Sequence, residues 1–208
     1  MVQPLSYLKE TASQTAGPYV HIGLIPHMAG FDIFEKNFGH VLVGPNTKGE
    51  RITLEGHVLD GTGTPLRDVL LEIWQANAAG RYNHPADRSA AAIEEDFRGW
   101  GRAGSDFESG LISFETVKPG ATTDKMGRRC APHINVWIVA RGINIGLNTR
   151  IYFSDEEAAN AADPALNLIE QPVRRSTLIA KRSERGGKVV YAFTINLQGP
   201  DETVFFDV

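Results

Sequence analysis

The chain has 208 residues, 42% hydrophobic and 22% charged, with a net charge of −4. That suffices for one folded body with a sizeable core. The mild acidity without a Lys/Arg-rich block argues against nucleic acid or an anionic membrane as partner. Residues 1–14 lack a basic stretch followed by an apolar one, so no signal peptide is expected. Residues 1–50 carry many glycines and prolines and little periodicity, and read as an extended N-terminal arm, packed on its own body and on a neighbour. From residue 51 the texture changes. RITLEGHVLD alternates apolar and polar residues, the mark of a half-buried strand, and Asp60-Gly61-Thr62-Gly63 makes a turn. Further strands are predicted at Val69–Trp74, with Trp74 in the core, and at Gly110–Val117, His133–Arg141, Thr149–Phe153 and Val189–Leu197. Thr203–Val208 is a candidate to close the sheet. Two short helices are predicted, Asp155–Ala162 capped by Ser154, and Val173–Arg182. Closely spaced strands without repeating βαβ units give the fold class: mainly β, an antiparallel β-sandwich formed by residues 51–208.

Chemistry-bearing motifs of the common kinds are missing. The sequence has no phosphate-binding glycine loop, no zinc-type Cys/His spacing and no nucleophile elbow. His21, His27, His40, His57 and His84 share no ligand spacing. The acidic runs Glu94-Glu95-Asp96 and Glu156-Glu157 read as solvated faces. The single cysteine, Cys130, forbids an internal disulfide, which favours the cytoplasm, and with no identified base beside it reads as inert.

Several strings occur together in one order: LEGHVLDGTGTPLRDVLLEIWQANAAGRY at 54–82, KPG at 118–120, APHINVWIVARG at 131–142 and TRIYF at 149–153. This set resembles the intradiol ring-cleaving dioxygenases, over essentially the whole chain. The resemblance implies an Fe(III) centre held by two tyrosines and two histidines. Fe(III) is a hard cation, and phenolate is a hard anionic donor that suits the ferric state. By that resemblance the four ligand positions fall here on Tyr82, Thr122, His133 and Asn135. Tyr82 and His133 match. Thr122 stands where the second tyrosine belongs, and Asn135 replaces the second histidine, which an i, i+2 strand spacing would place on the same face. The surroundings depart too. Cys130 occupies the place of an arginine three residues before His133, and Arg150 that of a glutamine. The expectation is that this chain holds no metal, that the four positions are vestigial, and that no catalytic residue resides on this chain alone.

SQTAGPY at 13–19 and the tail GPDETVFFD resemble the non-metal chain of the two-chain members in particular. For those the resemblance implies Fe(3+) on a homologous partner chain. The substrates are 3,4-dihydroxybenzoate and O2, the product is 3-carboxy-cis,cis-muconate, and the chains form a higher-order oligomer. This chain then shapes the substrate cleft through Thr15, Gly17, Pro18, Tyr19 and Arg141, the last able to face a substrate carboxylate. Arg141 as half of a surface ion pair is the plainer reading of that residue. Two other functions stay open at this point: a metal-free β-sandwich binding or assembly module, and a self-sufficient dioxygenase with an unusual iron site.

Overall fold

A computed structural model describes residues 14–35 and 39–207. Its frame is an eight-stranded mixed sheet that curls until it nearly closes. The strands are β1 (Arg51–Leu59), β2 (Leu70–Gln75), β3 (Trp100–Gly104), β4 (Ile112–Val117), β7 (His133–Val139), β8 (Leu147–Phe153), β9 (Ile179–Arg185) and β10 (Lys188–Asn196), ordered β3-β2-β7-β8-β9-β10-β1-β4. A separate two-residue hairpin pairs β5 (Thr122–Thr123) with β6 (Arg129–Cys130).

The expected antiparallel sandwich is corrected on two points. β1 runs parallel to β10 along its length, and β8 meets β9 in a short parallel pairing of Tyr152 and Phe153 with Ile179 and Ala180. That second junction, together with the approach of β3 to β4, turns two facing layers into one barrel-like sheet. Residues 40–43 of the arm fill the remaining seam. Leu42 N–H donates to the Glu115 carbonyl on β4 (2.9 Å), and Arg98 N–H donates to the Leu42 carbonyl beside β3 (3.1 Å). The tail, expected to close the sheet, contributes a single bridge from Phe206 to Asn148.

Alternation decides what lies inside. Ile52, Leu54 and Val58 on β1, Leu71 and Ile73 on β2, and Ile134, Val136 and Ile138 on β7 all point into one core. Ile151 and Phe153 on β8 meet Tyr191, Phe193 and Ile195 on β10 there. Burying side chains of this kind contributes about 1.5–3 kcal/mol each before chain entropy is subtracted. Trp74, expected in this core, instead lies half-buried on the outer face of β2, because the inward positions are taken by its neighbours Ile73 and Gln75.

The two predicted helices are shorter than expected, α2 (Glu157–Ala162) and α3 (Pro172–Arg175), and the arm, read as extended, holds a further short helix, α1 (Val20–Leu24). Ser154 does not cap α2; its hydroxyl accepts from the Arg182 N–H. The second predicted helix stops at Arg175, and Ile179–Arg182 belong to β9, drawn into the sheet by β10. Among the described residues no helix is long and apolar enough to cross a membrane.

Candidate functional site: a converging donor cluster and a distant surface

The loop after β2 is built around buried Asn77. Its side-chain oxygen accepts from the backbone of Ala79 and Arg81, and its own carbonyl accepts from Gly80 and Gly120. Gly80 has φ of 81° and packs against the Ala121 carbonyl so closely that a β-carbon would collide with it. This turn sets the Tyr82 loop against the segment carrying Thr122. Asp87 then fixes the Tyr82 N–H at 2.7 Å, and the Tyr82 ring stacks on Trp74 with centroids 5.6 Å apart.

His133 and Asn135 share one face of β7, as their spacing requires, and both reach the Tyr82 hydroxyl. His133 Nε2 lies 3.3 Å from it, and the Asn135 amide nitrogen donates to it at 3.3 Å. The Ala131 carbonyl, 2.7 Å from His133 Nδ1, can only accept, so Nδ1 carries the hydrogen and Nε2 accepts from Tyr82. Thr122 is buried beside Tyr82 and pairs with Cys130 across the small hairpin. All four positions of the ligand set therefore converge.

The electrostatics hold this cluster neutral. Burial, aided by the nearby Arg150 guanidinium, lowers the His133 pKa to about 4. Burial also raises the Tyr82 phenol above its ordinary value, so it keeps its proton. Tyr152 and Asp163, neither singled out from the sequence, complete the surroundings. Tyr152 sits opposite His133 on β8 and donates to Asp163 at 3.0 Å. Asp163 also accepts from the Ala131, Ala165 and Leu166 N–H groups. Burial raises the Tyr152 phenol further still. The Cys130 thiol is likewise raised by burial and lies beside the Arg128 carbonyl.

These residues do not fit a ferric ion. The one phenol and one imidazole at ligand positions are bonded to each other, the amide is turned to donate rather than to ligate, and the other nearby phenol is committed to Asp163. Among the described residues no group of three or more His, Cys, Asp or Glu side chains is arranged to hold a metal.

The other sequence-derived site residues sit elsewhere. Thr15 accepts from the Gly142 N–H at 2.7 Å, which joins the arm to the turn after β7. Arg141 stands next to that bond, largely exposed, and pairs with Asp68 at 3.1 Å. Gly17, Pro18 and Tyr19 are exposed on the same arm segment, Tyr19 at 75%. At ~3.3 Å per residue, the run from His133 to Arg141 spans roughly 25 Å. The arm and Arg141 thus lie at the opposite end of β7 from the Tyr82–His133–Asn135 cluster.

A family described as "Dioxygenase" matches residues 39–199. The chain is 50% identical to the protocatechuate 3,4-dioxygenase alpha chain of Pseudomonas putida, covering 98% of this chain and 99% of that one. It is 45% identical to the alpha chain of the same name from Burkholderia cepacia, covering 98% and 100%. The Burkholderia cepacia beta chain is 37% identical over 74% of this chain and 67% of its own length. In fold, 3-chlorocatechol 1,2-dioxygenase from Rhodococcus opacus 1CP superposes with a TM-score of 0.56 at 22% identity, covering 76% of this chain and 64% of that one. The chain belongs to the intradiol ring-cleaving dioxygenases, an iron-dependent family of oxidoreductases.

Proposed function

We propose that this chain is the alpha-type subunit of a cytoplasmic two-chain protocatechuate 3,4-dioxygenase. In that assembly a homologous beta chain carries Fe(3+), and 3,4-dihydroxybenzoate is cleaved with O2 between its hydroxyl-bearing carbons to 3-carboxy-cis,cis-muconate. The likeness to chains named alpha and to a chain named beta supports the pairing. One observation carries the division of labour: Tyr82, His133 and Asn135 are spent on bonding one another. Thr15, bonded to the Gly142 N–H, and Arg141, paired with Asp68, lie meanwhile at the far end of β7, away from those donors.

The arm fits a role against another chain. Tyr19, Phe31, Ile33 and Phe34 are each more than half exposed. Four large apolar side chains standing outward on one short segment are the surface expected of a contact region. In this reading Thr15, Gly17, Pro18 and Tyr19 form part of the wall of the partner's cleft. Arg141 faces the substrate carboxylate with a guanidinium that Asp68 orients.

The test is expression of this chain alone and together with a homologue that has both tyrosines and both histidines. The pair is expected to consume protocatechuate and O2 in equal amounts, and the lone chain is expected to be inactive. Full activity of the homologue without this chain would remove the proposed role, and an active lone chain would overturn it outright.

A further inference from the structure

Beside the Tyr82–His133–Asn135 cluster, the outer face of β3-β2-β7-β8 borders a cavity of about 400 Å³. All three tryptophans of the chain line it: Trp74, Trp100 and Trp137. Leu168 and Phe206 line it too, as does Arg150, whose guanidinium lies 5.8 Å from the Phe206 ring centroid. The size suits one small molecule, and the lining is apolar and aromatic with a few polar groups.

Arg150 is what makes this more than a hydrophobic hollow. It is half-buried, and among the described residues it forms no ion pair. Its one hydrogen bond to a side chain is a long one of 3.4 Å, to the Tyr152 hydroxyl. Asp163 is already engaged by Tyr152 and three backbone N–H groups. Glu72, on the cavity wall, is taken by Arg102, and exposed Asp207 stands in the lining without pairing to Arg150. A half-buried cation without a counter-ion is costly, and a bound carboxylate would remove that cost. A guanidinium fork matches a carboxylate with two parallel hydrogen bonds, and indole rings suit a flat aromatic body.

We propose that this cavity is a binding site for a small aromatic carboxylic acid, its carboxylate held by Arg150 and its ring set among the three tryptophans. The site is non-catalytic, and it lies on the chain that has given up its metal.

The probe is 4-hydroxybenzoate, which lacks adjacent hydroxyls and so resists intradiol cleavage. It is titrated calorimetrically into the purified two-chain complex. Two binding events per pair of chains are expected, one at the partner's catalytic site and one here. Arg150→Gln is expected to weaken one event by at least about tenfold, the scale of a charge-assisted bond, and to leave the other in place. The neutral analogue 4-hydroxybenzyl alcohol is expected to lose the event at this site, which decides the matter even if the variant fails to fold. A single event per pair in the unmodified complex overturns the proposal, and is the outcome if a carboxylate of the partner fills the place. A second event indifferent to both Arg150→Gln and the loss of the carboxylate also overturns it. Turnover by the complex is read separately, so failure here is distinguishable from failure of the two-chain assignment.

Discussion

At the scale of single residues, Tyr82, His133 and Asn135 satisfy one another's polar groups. Tyr82 donates to His133 and accepts from Asn135, while His133 donates to Ala131, so no buried polar atom of the three is left to seek a metal. The neutrality of His133 has a consequence for stability. Its folded-state pKa of about 4 lies below the unfolded value near 6.5. Above pH 6.5 neither state is protonated and nothing changes. As pH falls from 6.5 toward 4, the unfolded chain takes up a proton that the folded one refuses, and stability drops by up to about 3 kcal/mol before levelling off. Urea midpoints of the complex measured from pH 7 to pH 4 should show this loss, and His133→Gln should flatten that part of the curve. An identical pH profile in the variant would contradict the buried neutral imidazole. Arg141 calls for a milder expectation, because it is largely exposed and already paired with Asp68. Arg141→Ala should raise KM for protocatechuate roughly two- to fivefold with kcat little changed, the scale of a solvent-screened pair. An unchanged KM would remove Arg141 from the cleft.

At the scale of elements, close backbone approach explains where side chains are forbidden. A β-carbon on Gly56 would run into the carbonyl and ring of Phe193, its partner on β10. Gly56→Ala should therefore cost about 1–3 kcal/mol by forcing the parallel β1–β10 pair apart, read as a lower thermal midpoint of the complex. No change in the midpoint would mean that the two strands are less tightly paired than described. The elements also show what the sequence could convey. β1, β7 and β10 alternate cleanly and were predicted nearly to their ends, since period-2 burial is a local signal. β3, reading WGRAG, was missed because two glycines leave almost no pattern. β9, reading IAKRSER, was partly mistaken for helix because its charged residues are exposed and leave no apolar alternation, and only pairing with β10 and, at its start, β8 makes it a strand. Parallel pairing between the first and last long strands leaves no local trace, hence the wrong sandwich. Trp74 was misplaced for a related reason: an aromatic on a strand does not tell which face it takes. At the site, the His133/Asn135 face was legible from spacing. Tyr152 and Asp163 were not, because their roles exist only once β8 and the segment after α2 are folded beside β7.

At the scale of the whole molecule, the surface is divided between a self-sufficient body and an unsatisfied arm. Residues 40–43 stitch the seam between β4 and the approach to β3, while Tyr19, Phe31, Ile33 and Phe34 are each more than half exposed among the described residues. The isolated chain should therefore bind a hydrophobic dye and lose that fluorescence when the homologous partner is added; dye binding indifferent to the partner would argue that the arm is not the interface. At one end of β7 Tyr82, His133 and Asn135 are bonded to one another, and at the other Thr15 accepts from the Gly142 N–H, next in sequence to Arg141. The iron content of the purified two-chain complex is the most direct test of where the metal sits. Elemental analysis should find one iron per pair of chains, with this chain colourless when separated. Two irons per pair, or iron retained by this chain on its own, would contradict that expectation.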